Sequence, residues 1–187
     1  MFGPLIRRDD GTYVFAAPLG DGHVPLVSLR DIGFFARYSY DRRAAVSGRD
    51  LAIASELATL DDIVGAFRRA TGHAAVVVRQ SVEEWFGNLT NVDRPVASER
   101  AYGDGSTTFR QNFTAFWYLF RDDIVKRDME WIRRVNPGRD TLESWMRENE
   151  FAGELARDWK LLKGAEDSDK AESPLNVEHI ARTLGKA

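Results

Sequence analysis

The chain has 187 residues, a hydrophobic fraction of 43%, a charged fraction of 29% and a formal net charge of -3. That length and mix suit one domain with an apolar core of its own, and the mild acidity gives no electrostatic footprint for direct nucleic-acid binding. With no cysteine in the chain, disulfides, thiolate nucleophiles and cysteine metal sites are excluded. No apolar run nears the roughly 20 residues a membrane helix needs, and Met1 to Asp10 holds no signal-peptide core, so a cytoplasmic or nuclear setting without a membrane is expected.

Gly3-Pro4 marks a turn, and Arg7-Arg8-Asp9-Asp10 is a polar run before a first strand at Tyr13 to Ala16. Gly20-Asp21-Gly22 turns the chain into a second strand over Val24 to Val27. Ser28 followed by Asp31 is a capping-box pattern: the hydroxyl takes the amide of residue 31 and the carboxylate bonds back to the cap. Ile32, Phe35 and Ala36 recur at helical spacing and predict one buried face. Leu51-Ala52-Ile53-Ala54 is a continuous apolar run, which predicts a strand over Asp50 to Ser55 that is buried on both faces. Thr59 and Asp62 form a second capping box, and Leu60, Ile63, Val64 and Phe67 share one face of a helix that Gly72 ends.

His73 to Arg79 is valine-rich and reads as a strand. Ser81 and Glu84 give a third capping box, opening a short helix with Trp85 and Phe86. Asn88 to Gly105 is polar and irregular, a long loop. Two glycosylation sequons, at Asn88 and Asn112, read as chance matches. Ser106 to about Asp122 predicts a helix whose stripe is aromatic: Phe109, Phe113, Phe116, Trp117 and Phe120. Ile124, Val125, Ile132 and Val135 extend the helical pattern, and Pro137-Gly138 breaks it. Asp140-Thr141 caps a helix carrying Leu142, Trp145 and Met146. Ala165 to Ser173 reads as a charged linker, and Ser173-Pro174 opens a last helix with Val177, Ile180, Ala181 and Leu184 on one face.

Five of these segments, in order, resemble the NmrA-like family, an atypical branch of the short-chain dehydrogenase/reductases. They are Pro18-Leu19-Gly20-Asp21-Gly22, Val24 to Gly33, Thr59 to Val64, Thr71-Gly72 and Asn136 to Asn149, and the resemblance covers roughly residues 3 to 151. It implies an α+β fold, a small mixed sheet with about six helices, as the C-terminal portion of an extended α/β Rossmann-type protein. The N-terminal dinucleotide-binding half of such a protein is expected to be missing. Residues 1–160 would be an incomplete NmrA-like C-terminal domain, and 161–187 a charged linker with a short helix. Full-length relatives bind NAD or NADP and act as redox-sensing regulators or as reductases of small aromatic metabolites. The best-known regulator represses nitrogen-metabolism genes through a GATA-type transcription factor. By the same resemblance, the run Leu51 to Ala54 would lie at the edge of a larger sheet. Exposed Leu51 and Ile53 would favour an incomplete domain; full burial in a closed sheet would count against it.

A dinucleotide site needs a glycine-rich turn between a strand and a helix N-terminus. Gly20-Asp21-Gly22 has Pro25 at the third glycine's place and a strand after it. Gly103-Asp104-Gly105 precedes a helix, but Thr108 stands third and no clear strand leads in. Both are expected to be ordinary turns, and no cofactor is expected in this chain. Tyr38 and Arg42 have the spacing of the tyrosine–lysine pair of short-chain dehydrogenases, with arginine in the lysine's place; the expected reading is a surface tyrosine among arginines. His23, His73 and His179 lack ligand spacing, and the acidic pairs Asp61-Asp62, Glu83-Glu84 and Asp122-Asp123 fall in first turns or on solvated faces. No catalytic or metal-binding residue is assigned. The aromatic stripe Phe109, Phe113, Phe116, Trp117 and Phe120 is expected mainly as core, with part of it open as a partner or substrate surface.

The favoured function is regulatory: binding of a transcription factor or a small molecule without independent redox catalysis, with self-association through an open sheet edge as a further route. The alternatives are a truncated NAD(P)-dependent oxidoreductase of the isoflavone-reductase kind, a subunit whose Rossmann half comes from another chain, and a gene-model fragment. An in-frame glycine-rich strand–turn–helix sequence upstream of Met1 would show the last.

Overall fold

The computed structural model describes residues 3–97, 100–155 and 175–186. Among these are five strands, β1 (Ile6–Arg7), β2 (Tyr13–Ala17), β3 (Val24–Leu26), β4 (Glu56–Ala58) and β5 (Ala75–Arg79). Eight helices accompany them: α1 (Leu29–Asp41), α2 (Arg43–Val46), α3 (Leu60–Thr71), α4 (Val82–Gly87), α5 (Phe109–Arg121), α6 (Met129–Val135), α7 (Leu142–Glu148) and α8 (Val177–Leu184). The fold is α+β, as the sequence predicts.

β2 is central in a three-stranded mixed sheet of order β1-β2-β5, antiparallel to β1 and parallel to β5. Strand period 2 sends Tyr13, Phe15 and Ala17 to one face and Val14 and Ala16 to the other. All five are buried because both faces are covered. The first face packs under α3 and the aromatic rings of α4 and α5. The second packs against Leu5 and, from α8, Ile180 and Leu184. α8 is also tied down by Arg8 Nε donating to the Leu184 carbonyl at 3.0 Å and the Asn176 amide donating to the Asn88 carbonyl at 2.8 Å. Val177 and Ala181, expected on the buried face of that helix, are exposed. The proposed linker and the start at Ser173-Pro174 lie outside the described residues.

α3 forms as its pattern predicts. The Thr59 hydroxyl and Asp62 carboxylate cap each other's amides, and Gly72 ends the helix in the left-handed region at φ 75°. Leu60, Ile63, Val64 and Phe67 are almost fully buried, each contributing about 1.5–3 kcal/mol by removal from water. Phe67 meets Phe15 at 5.1 Å and Tyr13 at 5.2 Å, both edge-on.

Several elements differ from expectation. β1, not expected from the sequence, overlaps the start of the polar run Arg7 to Asp10 at Arg7, and its two residues pair with the edge of β2. The strand predicted over Asp50 to Ser55 is absent: β4 begins at Glu56 and pairs antiparallel with β3. Ala54 is buried beneath Ile132 of α6 with Ile53 beside it, while Leu51 and Ile53 are half-buried and outside any ladder. The apolar run therefore serves a helix contact, with Arg127 Nε donating to the Ile53 carbonyl at 3.0 Å. Ile124 is exposed and non-helical, and α2 follows α1 directly.

Candidate functional site: the Asp31 junction and the outer face of α1

Ser28 caps α1, its hydroxyl accepting from the Asp31 amide at 3.1 Å. The Asp31 carboxylate does not bond back to Ser28 as a capping box requires. It turns inward, only 1% exposed, and becomes a junction. Oδ1 accepts from Asn136 Nδ2 at 2.9 Å; Oδ2 accepts from the Asp140 amide at 3.0 Å and from the Ser55 hydroxyl. The Ser55 hydroxyl in turn accepts from the Ser28 amide at 3.0 Å. Arg139 Nε donates to the Ser55 carbonyl at 3.0 Å, and Arg30 pairs with the buried Asp140 carboxylate. Each buried polar group here thus has partners, which is what makes burying a carboxyl tolerable. The turn Asn136-Pro137-Gly138-Arg139 exists to deliver one side chain, one amide and one guanidinium to this point.

One helical face inward leaves another outward. Asp31, Phe35 and Tyr38 face the interior, with Phe35 stacked on Trp131 at 5.8 Å and Tyr38 edge-on to Trp131 at 6.1 Å. Leu29, Ile32, Gly33, Ala36 and Tyr40 recur at i, i+3, i+4, i+7 and i+11 on the opposite face. Leu29 is 85% exposed, Tyr40 81% and Ile32 42%. Ile32 and Ala36 therefore do not share the buried face of Phe35, as the sequence pattern suggested. The α1–α2 stretch 29–49 carries five arginines against two aspartates, one of them Asp31. Arg42, Arg43 and Arg49 are exposed and form no ion pair among the described residues. At the other end of α1 lies a cleft of about 200 Å³ lined by Leu26, Val27, Ser28, Ser55, Glu56, Asp140, Thr141, Leu142 and Trp145. Glu56 closes its floor by accepting from the Leu142 amide at 2.7 Å.

The other sequence candidates are placed as follows. Trp117 is fully buried, while Phe109, Phe113, Phe116 and Phe120 are half-buried and pack onto the same core. The rings form a continuous series, Phe109–Phe113 stacked at 4.1 Å, Phe116–Phe120 edge-on at 4.7 Å and Trp85–Trp117 edge-on at 5.0 Å. The turn at Gly20 to Gly22 lies against the C-terminus of α5: a Cβ on Gly22 would stand 2.1 Å from the Phe120 carbonyl oxygen. His23 follows it, its amide donating to Asp123 at 2.9 Å and its ring lying 3.1 Å from the same carboxylate. Partial burial pushes the Asp123 carboxyl up, but the His23 amide and ring and Lys126 outweigh it and leave it below the usual range. In the second glycine turn, Asp104 accepts from the Ser106 amide at 2.9 Å, and the Ser106 side chain together with that amide lowers its pKa. Gly103 and Gly105 hold left-handed backbone, φ 77° and 85°. Tyr38 and Arg42 are joined only by the helical backbone bond, 2.9 Å. Among the described residues no three acidic, histidine or cysteine side chains converge to hold a metal ion, and no helix is long and apolar enough to cross a membrane.

Neither the meeting of Asp31 with Ser55, Asn136 and Asp140 nor the outward stripe of α1 is read from the sequence, where Asp140 stands only as part of a helix cap and Asn136 only as the start of a resembling segment. The signal was present: a carboxyl four residues before Phe35 sits on that ring's face and needs donors, and α1 carries apolar residues on two faces when only one can be internal.

No family model matches the chain, and no curated protein matches it. Among solved structures it is similar to "Nmra, a negative transcriptional regulator", in its monoclinic crystal form, with a TM-score of 0.55 and 19% identity. The match covers 79% of this chain and 47% of that one, so the chain spans about half the length of the NmrA structure, and what the two share is the fold.

Proposed function

We propose that this chain is a regulatory binding protein of the NmrA kind, which engages another protein or a small molecule and runs no redox reaction by itself. The observation that carries the reading is the outward apolar face of α1, held in place by the Asp31 junction. Unburied apolar side chains in a row are costly in water and mark a contact surface. The similarity in fold to a protein described as a negative transcriptional regulator supports the same direction. A transcription factor is then a partner consistent with the reading, and a cytoplasmic or nuclear site of action follows from it. Half-buried Phe109, Phe113, Phe116 and Phe120 offer a second, smaller apolar surface beside the buried Trp117.

Neither glycine turn supports a dinucleotide in this reading. Gly22 is pressed against backbone, and Asp104 fills the amide that a phosphate would need. Calorimetry with NADP and NADPH tests it: no saturable heat is expected at micromolar concentration. Micromolar binding lost on changing Gly103 and Gly105 would overturn it.

One observation favours a second reading. The chain spans about half of the NmrA structure it matches, so a subunit completed by a Rossmann half from another chain, with NAD(P)-dependent reductase activity, is the alternative. Under it, NADPH binding appears only when such a domain is co-expressed and co-purifies at fixed stoichiometry.

A further inference from the structure

Resting on the binding role above, the geometry points to the kind of partner: the outer face of α1 and the cleft at its N-terminal end dock a short acidic amphipathic helix of another protein, lying antiparallel to α1. The stripe from Leu29 to Tyr40 runs about 16 Å at roughly 1.5 Å per residue, three turns of a partner helix. At its start, Val27 and Trp145 form the exposed rim of the cleft, which has room for one apolar side chain.

Charge sets the direction. Acidic Glu56, Asp140 and Glu148 lie at the cleft end, where Arg30 already answers Asp140 and Glu148. Among the described residues Arg42 and Arg43, at the other end, form no ion pair. In a chain of net charge -3, this basic end is local and calls for acidic side chains. Those residues favour the N-terminus of the incoming helix, where its dipole is positive. That N-terminus then lies over Arg42 and Arg43, and an apolar residue from its C-terminal turn enters the cleft.

Other occupants fit less well. A second copy, packed across a two-fold axis centred on the stripe, brings Arg37 toward its own counterpart. Asp41, beside Arg42, is answered by Arg37 at 3.3 Å, so this end stays basic; an anionic lipid surface would meet the same arginines but offers no helix turn to the stripe or the cleft.

The test uses the full chain and a synthetic 15-residue peptide with glutamates in its first turn and leucines at i, i+4, i+7 and i+11. Controls carry lysine for glutamate or a scrambled order. Fluorescence anisotropy is expected to show saturable binding of the acidic peptide, weakened at least tenfold by Arg42→Glu with Arg43→Glu, and similarly by Leu29→Ser with Ile32→Ser. All four positions are exposed, and circular dichroism confirms that the variants fold. A spin label on the peptide N-terminus should broaden amide signals near Arg43, not those near Ser28. Equal binding of the lysine peptide, insensitivity to the α1 variants, or the opposite label polarity would overturn the inference. So would phosphatidylserine vesicles binding where the peptide does not, or a concentration-dependent dimer lost on Leu29→Ser. Because NADPH calorimetry is independent of α1, peptide failure with the nucleotide still unbound removes this partner and leaves the regulatory reading standing.

Discussion

Beneath α5, Trp117 is surrounded by rings; beneath α1, Asp31 is surrounded by hydrogen-bond donors. Both are almost completely buried, yet they hold the chain by different physics. The aromatic core gains from area and tolerates small shifts, because dispersion and the hydrophobic effect have little direction. The junction gains from direction: residues 31, 55, 136 and 140 must arrive together, and each missing partner leaves a buried polar group unsatisfied. The core keeps the sheet covered. The junction fixes α1 so that one face is free.

Damage to the two regions should therefore grade differently. Trp117→Ala is expected to cost about 3–5 kcal/mol in urea denaturation, with Trp117→Phe well below that. Asp31→Ala should cost about 3 kcal/mol, and isosteric Asp31→Asn should still cost roughly 1–3 kcal/mol, because an amide group turns a donor toward donors. The expected contrast is that the conservative change recovers most of the loss at Trp117 and a smaller share of it at Asp31; the reverse would dissolve the distinction. Gly22→Ala, which belongs to neither region, should cost roughly 2 kcal/mol, because its Cβ meets backbone and not a movable side chain.

Acid touches the periphery of both. Asp62 is held below the usual carboxylate range by the Thr59 hydroxyl and amide, Glu84 by the Ser81 amide and hydroxyl, and Glu143 by Arg69 and Arg147. A lowered folded-state pKa means these groups stabilise above the ordinary carboxylate range, and the effect fades as pH falls through the lowered values. The melting temperature should be nearly level from pH 7 to about 5 and fall below about 4. Thr59→Ala and Ser81→Ala should flatten that fall, and an unchanged slope would deny the caps this role. The smallest effect belongs to the outer face of α1: Leu29→Ser should change stability by no more than about 0.5 kcal/mol. A larger loss would mean that the stripe is already covered in the free protein.

How much of this was legible in the sequence follows the same division. The caps at Thr59, Ser81 and Gly72 and the apolar face of α3 depend on neighbours within a few residues, and they appear as predicted. The aromatic stripe of α5 was visible for the same reason. β1 was hidden because Ile6 and Arg7 are shaped as a strand only by the edge of β2. The run at Leu51 to Ala54 looked like a strand because burial against a helix and burial in a sheet ask for the same side chains. The junction was the least legible. Ser28 and Asp31 suggested a local capping box, and only the arrival of Ser55 and of Asn136 to Asp140 from far along the chain redirects the carboxylate.

The claim that Asp31 and the Asn136 turn act as one unit is tested most directly by a double-mutant cycle, Asp31→Ala against Asn136→Ala, read by urea denaturation. The expected result is a coupling of at least about 1 kcal/mol, the double variant being less destabilised than the sum of the singles, because each single change already strands the other's partner. Additivity to within about 0.3–0.5 kcal/mol would contradict it.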